Sequence, residues 1–128
     1  LVDVSNPLDF SKGFPPTLFV NNTDSLAEQL QRAFPSVKVV KALNTMANAL
    51  MVNPRLLAES HTTFICGNDA GAKETVLGLL RQFGWKPEEV LDLGDLSAAR
   101  GTEQWLPLWL RVMGSLKTPM FNLKVVKA

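Results

Sequence analysis

The sequence of 128 residues lacks most of the features that reveal a chemistry directly. It has no Gly-x-Gly-x-x-Gly segment and no other glycine-rich loop that would cradle a phosphate. It contains one cysteine and one histidine, which exclude an internal disulfide and a metal cluster built from these residue types. No serine lies in a nucleophile elbow. We therefore predict no metal site and no catalytic nucleophile.

Excess charge and long apolar runs are also missing. The 13 lysines and arginines nearly balance 12 acidic residues, and the net charge of +1 gives no reason to expect a nucleic-acid partner. No apolar run approaches the roughly 18 to 20 residues that a membrane span requires. The single cysteine and the lack of a signal-peptide pattern favour a cytoplasmic protein with no membrane partner.

Strand and helix patterns do alternate along the chain, which has the length of one domain, residues 1–128, with no internal boundary. The clearest helix start is a capping box formed by Ser25 and Glu28. Further helices are predicted at residues 46–50, after Asn68 and Asp69, and from a cap at Ser97 to about Leu116 with a bend or restart at Pro107. Strands are predicted at residues 1–5, 17–20, 37–43, 62–67, 90–94 and, as a half-exposed edge strand, 121–127.

This alternation is typical of right-handed crossovers, and it predicts an α/β fold: the C-terminal part of a Rossmann-like, mostly parallel sheet with flanking helices. Ligands of such sheets bind beyond the carboxyl ends of the strands. Small polar or turn-forming residues lie at these ends in residues 5–8, 43–46 and 67–69. The same residue types also follow strands simply to form turns and helix caps, so both interpretations stay open.

Four segments, in order along almost the whole chain, resemble the NADP oxidoreductases that depend on the deazaflavin coenzyme. Residues 2–8 resemble the strand and Asn-Pro segment that closes the nucleotide domain of this family. Residues 37–45 resemble its Lys-Val-Val-Lys-Ala segment with the following Asn-Thr. Residues 64–70 resemble its next strand and helix cap, and residues 91–103 the strand and helix after that.

The resemblance implies that NADP(H) is the cofactor and that hydride passes between its nicotinamide and an acceptor such as a deazaflavin or a flavin. It implies that a backbone amide near Ala42 or Leu43 holds the carboxamide, and that Leu43 and Met46 pack against a flat ring. Hydride transfer depends mainly on position and exclusion of water, so no catalytic residue is needed. The implied cofactor-binding residues are Asn6, Pro7, Leu8, Ala42, Leu43, Asn44, Thr45 and Met46.

The chain begins in a strand pattern without a methionine, and it lacks the glycine-rich half of such a domain. Two hypotheses are compatible with this. In the first, the chain is a truncated part of an NADPH-dependent oxidoreductase, contributing the nicotinamide side and inactive by itself. In the second, it is a non-catalytic dimerisation or binding module that kept the fold.

Several other residues have simpler interpretations. Cys66, inside a predicted strand, is expected to be a small buried hydrophobe, and His61 a solvated loop residue. Arg100 and Glu103 are three residues apart, and we expect a surface ion pair, with a polar anchor beneath the cofactor as the alternative.

The most apolar tract runs from Trp105 to Met113 and is apolar on nearly every face. A helix of this kind must be buried. We expect one face to pack in the core and another to meet a partner, with a stacking site for a planar acceptor as the alternative. A homodimer is predicted, through this helix or through the open edge of the first strand.

Overall fold

The computed structural model describes all residues, 1–128. It contains six short strands, five α-helices and three 3₁₀ turns. The strands are β1 (Val2–Asp3), β2 (Leu8–Asp9), β3 (Thr17–Leu18), β4 (Val40–Ala42), β5 (Thr63–Gly67) and β6 (Val90–Asp92). The helices are α1 (Leu26–Ala33), α2 (Asn48–Val52), α3 (Ala70–Gln82), α4 (Ala99–Gln104) and α5 (Leu106–Leu116), and the 3₁₀ turns are Pro54–Leu56, Pro87–Glu89 and Leu96–Ala98. None of the helices combines the length and the apolar character needed to span a membrane.

The main sheet has four strands in the order β1-β4-β5-β6. β1 runs parallel to β4, with Asp3 beside Lys41, and β5 runs parallel to β6. The central pair, β4 and β5, is antiparallel, with Lys41 opposite Cys66. The predicted Rossmann-like α/β fold with a mostly parallel sheet is confirmed.

Two predicted strands differ in the structure. The stretch at residues 17–20 contributes only Thr17–Leu18, which pairs with Leu8–Asp9 as a separate antiparallel hairpin because the chain turns back immediately after β1. The predicted edge strand at residues 121–127 is wrong. The backbone there accepts one hydrogen bond, from Thr62 N to Leu123 O (3.0 Å), and forms no ladder.

Helices cover both faces of the main sheet because neighbouring residues of a strand point to opposite sides. On one face, Val40 and Ile65 pack with residues of α2 and α3 and with Trp85. On the other face, Val39 and Cys66 pack beside α1 and the start of α4. The result is a three-layer arrangement with an apolar cluster on each side of the sheet.

The helix caps agree with the sequence in part. Ser25 Oγ accepts from Glu28 N (3.1 Å) and caps α1 as predicted. The Glu28 carboxylate does not return to the cap amide, because it forms two hydrogen bonds with Arg100 at 2.9 and 2.6 Å. Asp95, rather than Ser97, caps the turn before α4, since its carboxylate accepts from Ser97 N.

A buried ion cluster joins the sheet to α4 and α1. Lys41 Nζ lies 2.8 Å from Asp3 Oδ2 and 2.8 Å from Glu103 Oε1, and all three side chains are almost fully buried. Glu103 also accepts from the backbone N–H groups of Leu26 and Ala27 at the start of α1 (2.9 and 3.2 Å). These donors and the helix dipole compensate the second carboxylate, which one lysine alone would leave unbalanced. The expected surface pair between Arg100 and Glu103 is therefore wrong, because each side chain has a partner in another element.

Replacement of Glu103 tests this cluster. Glu103→Ala keeps the Lys41–Asp3 pair but removes the acceptor of two helix N–H groups, each of which costs about 1–3 kcal/mol when left unsatisfied, so we expect a loss of about 2–5 kcal/mol in the free energy of unfolding. Glu74→Ala is the matched control, since Glu74 is also helical but its side chain is 71% exposed and 4.0 Å from Arg81. The control should change stability by less than about 0.5 kcal/mol. Equal urea midpoints for the two variants would contradict the assignment.

The chemistry of Cys66 gives a second prediction. Cys66 is buried as expected, and burial raises the pKa of its thiol to about 12. A thiol reagent at pH 8 should therefore modify the native chain slowly and the urea-unfolded chain rapidly, as measured by mass spectrometry. Ser115→Cys, which adds an exposed thiol, should gain one rapid modification in the native state.

The same shift predicts a dependence of stability on pH. The folded chain holds the thiol proton more tightly than the unfolded chain, so this contribution is complete below pH 9.0 and is lost as the pH rises towards 12. Rapid modification of native Cys66 at pH 8 would contradict both expectations.

Candidate functional site

The carboxyl ends of β1 and β4 meet at one edge of the sheet because these two strands are parallel. Two side-chain amides join the segments that follow them. Asn6 Nδ2 donates to Asn44 O (2.9 Å), and Asn44 Nδ2 donates to Asn6 Oδ1 (2.9 Å). Residues 5–8 and 43–46, which the sequence places after separate strands, are thus brought together into one candidate site.

The third predicted segment, residues 67–69, does not belong to this site. β5 is antiparallel to β4, so its carboxyl end lies at the opposite edge of the sheet. Asn68 Oδ1 accepts from Leu96 N (2.9 Å), and Asp69 caps α3 through Ala72 N (2.7 Å). These residues serve turns and caps, the simpler of the two interpretations that the sequence left open.

Lys41 positions the first segment of the site. Its Nζ donates to Ser5 O (2.7 Å), and Asp3 Oδ1 accepts from both the backbone N–H and the hydroxyl of Ser5 at 2.9 and 2.6 Å. Asn6 therefore follows a residue held by three hydrogen bonds. Sequence reasoning missed this role, although charged residues inside two predicted buried strands, Asp3 and Lys41, were a usable signal.

The second segment is mostly buried. Leu43 and Met46 are 4% and 6% exposed and pack in the core cluster with Leu50 and Ile65. Leu43 has a φ of 64°, a left-handed conformation that is uncommon for a branched residue. Because both side chains are buried in the core, they do not offer a surface to a flat ring in this structure. Ala42 and Thr45 are buried with them.

A hairpin extends from the first segment. Pro7 is buried and its carbonyl accepts from Phe19 N (2.9 Å), while half-buried Leu8 begins β2. Asn6 and Leu8 are half-buried, whereas the other six predicted site residues are buried, with Asn44 retaining 3% of its surface.

The polar groups at this edge fit the nicotinamide end of a dinucleotide. Because Asn44 O can only accept, it fixes the Asn6 amide orientation, and Asn6 Oδ1 then fixes that of Asn44. Asn44 Oδ1 accepts no hydrogen bond within the chain. It has the chemistry to accept from a carboxamide NH₂, and the remaining Asn6 N–H can donate to a carboxamide oxygen.

His61 is buried, so the expectation of a solvated loop residue is wrong. Asn122 Nδ2 donates to Thr62 O (3.1 Å) and lies 2.8 Å from His61 Nδ1. His61 Nε2 lies 2.9 Å from Pro54 O, which can only accept. These partners specify the neutral ring with its hydrogen on Nε2, in edge contact with Trp85. His61 thus contacts the C-terminal segment through Asn122, whose amide nitrogen also lies 4.0 Å from Met46 Sδ.

Comparison with known proteins gives sequence relatives and similar structures. No protein-family profile matches the chain. Metalloreductase STEAP3 of Rattus norvegicus is 38% identical over 120 residues, which are 93% of this chain and 22% of that protein. Metalloreductase STEAP2 of Homo sapiens is 37% identical over 111 residues, which are 86% of this chain and 20% of that protein. The chain thus spans about a fifth of the length of these curated relatives.

Two crystal structures share the fold. A candidate F420-dependent NADP reductase from Arthrobacter sp. FB24 has a TM-score of 0.94 and 54% identity, over 99% of this chain and 57% of that one. A hypothetical protein from Sinorhizobium meliloti has a TM-score of 0.53 and 26% identity, over 99% of this chain and 54% of that one. The resemblance predicted from four sequence segments is therefore confirmed: in sequence and fold the chain is similar to a candidate F420-dependent NADP reductase, and in sequence to the metalloreductases.

Proposed function

We propose that this chain supplies the nicotinamide side of an NADP(H)-dependent oxidoreductase that exchanges hydride with a deazaflavin or a flavin. The observation that carries the proposal is the reciprocal Asn6–Asn44 amide pair, which joins the carboxyl ends of two parallel strands. Such an edge is where open α/β sheets bind ligands. The similarity to a candidate F420-dependent NADP reductase and to metalloreductases supports the same class of reaction.

The residues of the chain would act by orientation. The Asn44 Oδ1 atom and the free Asn6 N–H can hold the two polar atoms of a carboxamide and so fix the plane of its ring. Lys41 and Asp3 hold Ser5, which keeps Asn6 in register with Asn44. NADP(H), when bound, supplies the transferable hydride at its nicotinamide. Positioning of this kind supplies much of the rate enhancement in such reactions, so the lack of an acid or base at the edge is compatible with the proposal.

Titration with NADPH, followed by amide NMR shifts, tests the proposal. Shifts remain measurable at millimolar affinity, which corresponds to only about 4 kcal/mol of binding. We expect the changes to concentrate in residues 5–8 and 43–46. Asn6→Ala should raise the dissociation constant about fivefold, since one hydrogen bond contributes about 1 kcal/mol to binding.

Asn53→Ala is the matched control for this titration, because Asn53 is exposed and its side chain forms no hydrogen bond within the chain. It should leave the dissociation constant unchanged. An absence of NADPH-induced shifts at both segments would reject the proposal and favour the alternative, a non-catalytic dimerisation or binding module.

We also propose that the chain forms a homodimer, through α5 or through the open edge of β1. Leu108 and Leu116 on α5 are each 54% exposed, while Trp109 on the same helix stacks on Phe121 with 5.4 Å between ring centroids. One face of the apolar tract is therefore packed within the chain and another is open to solvent. Apolar side chains of this kind are common in the buried parts of homodimer contacts.

Light scattering of the chain and of Leu108→Glu separates the two possible contacts. If α5 forms the contact, the native chain should have the mass of a dimer and Leu108→Glu the mass of a monomer, because a carboxylate would be buried without a partner. Leu56→Glu is the control at another exposed leucine, 51% exposed, and should remain dimeric. A dimeric Leu108→Glu variant would indicate that the dimer forms through the edge of β1 instead. A monomeric native chain would reject the dimer.

A further inference from the structure

Residues 121–125, named the strap from here on, cross the end of β5 without joining the sheet. They follow α5 and form no helix or strand. Leu123 O accepts from Thr62 N (3.0 Å), and Val125 N donates to Thr62 Oγ1 (3.0 Å). Because β4 and β5 are antiparallel, Thr62 lies at the same end of the sheet as the candidate site. The strap is therefore attached to the molecule at that end.

Hydrogen bonds hold much of the strap. Phe121 and Leu123 are half-buried, whereas Val125 is 49% exposed. The side chain of Asn122 supplies a further attachment, because its Nδ2 donates to Thr62 O (3.1 Å). The strap thus bonds to Thr62 through two backbone groups and one side-chain amide, and the amide depends on a second partner.

That partner is the buried ring of His61, which uses both of its nitrogens. Nε2 carries the hydrogen, since Pro54 O at 2.9 Å can only accept, and Nδ1 accepts from Asn122 Nδ2 at 2.8 Å. The ring is 4% exposed and therefore has no water to rearrange around it. A second hydrogen on Nδ1 would point at the N–H of Asn122, and two donors would face each other with no acceptor between them. Only the neutral ring fits these partners.

The amide of Asn122 has a second orientation available. Its Oδ1 is buried and accepts no hydrogen bond, which leaves the present orientation incompletely satisfied. Half a turn of the amide would bring Oδ1 to a protonated Nδ1 of His61 and give it the donor that it lacks. The same turn would set Oδ1 against Thr62 O, two acceptors, and would break the bond between Asn122 and Thr62. The amide can satisfy the neutral ring together with Thr62, or the charged ring alone.

No charged side chain hydrogen-bonds to the ring in this structure. Glu89 accepts from Ser60 Oγ beside His61 (3.1 Å), but its charge is compensated by an ion pair with Arg55. The other charged residues on the segments around the ring, none of which bonds to it, are Glu59, Arg81, Lys86, Glu88, Lys124 and Lys127. His61 is also the single histidine of the chain, and histidine is the side chain whose charge ordinarily changes between about pH 5 and 8.

We propose that His61 is a pH-sensitive lock for the strap. The neutral ring holds Asn122 on Thr62, whereas a proton on Nδ1 turns the amide away from Thr62 and releases residues 122–125 from the end of β5. Asn122 Nδ2 also lies 4.0 Å from Met46 Sδ, so the change reaches residues 43–46. A buried histidine that biases an element with two arrangements is the usual basis of a pH switch. The lock requires no bound nucleotide and does not rest on the proposed function.

NMR of the whole chain between about pH 7.5 and pH 5 tests the lock. At the higher pH we expect a nuclear Overhauser contact between the methyl groups of Thr62 and Val125. This contact should be lost in step with protonation of His61, which the imidazole ¹⁵N shifts report directly, and the Met46 methyl shift should follow the same titration. The methyl shift of Ala27, in the apolar cluster on the other face of the sheet, should stay constant and so exclude general unfolding.

Two variants should abolish the response from opposite sides. His61→Asn offers an amide oxygen to Asn122 and cannot become charged, so the Thr62–Val125 contact should persist at both pH values. Asn122→Leu keeps the size of the side chain but removes its hydrogen bonds, so the contact should already be lost at the higher pH. Asn21→Leu is the matched control, because Asn21 is exposed and its side chain forms no hydrogen bond within the chain. It should titrate like the native chain.

A protonated ring with an intact Thr62–Val125 contact would overturn the proposal, and so would a ring that stays neutral until the whole chain unfolds in acid. Loss of the contact at low pH in folded His61→Asn would assign the change to another group and would also overturn it. If His61→Asn does not fold, Asn122→Leu decides the matter. A Thr62–Val125 contact that survives in Asn122→Leu at the higher pH would show that Asn122 does not hold the strap.

Discussion

The buried ammonium group of Lys41 is the constraint on which the arrangement of this chain depends. A charge in a protein interior is costly unless every partner is present. Here the partners come from different elements: Asp3 from β1, Glu103 from α4, and the carbonyl of Ser5 from the segment after β1. Glu103 extends the connection to the first N–H groups of α1. One cation thus fixes the register of β1 on β4 and the seating of two helices on the same face of the sheet.

This constraint extends to the candidate site from two directions. Through Ser5 it fixes the residue before Asn6, and through α4 it places Trp105, two residues after Glu103, where the indole N–H reaches Thr45 O. The Asn6–Asn44 pair and the backbone of Thr45 are therefore held by the same network. A site whose parts share one support is well suited to chemistry that depends on orientation.

The sequence was sufficient to predict the alternation of elements, the α/β class, the cap at Ser25 and the burial of Cys66, because these follow from local periodicity and side-chain chemistry. The direction of β5 relative to β4 could not be predicted from the sequence, since the periodicity of side chains is the same in parallel and antiparallel strands. Its reversal separates residues 67–69 from the other predicted segments. The partners of Glu28 and Glu103 were equally inaccessible, because each lies far away in sequence and a short-range pair was the nearest alternative. His61, expected to be a solvated loop residue, is buried because the distant Asn122 packs against it.

Because β4 and β5 are antiparallel, the turns that follow them lie at opposite ends of the sheet. The turns after β5 and β6 end opposite the Asn6–Asn44 pair, and Gly94 lies there with a φ of 97° and nothing within 4 Å of a Cβ. A fluorophore attached at this glycine would lie at the end of the strands opposite the Asn6–Asn44 pair. The topology therefore offers a handle for immobilising or labelling the chain at one end while the opposite end stays free for ligand.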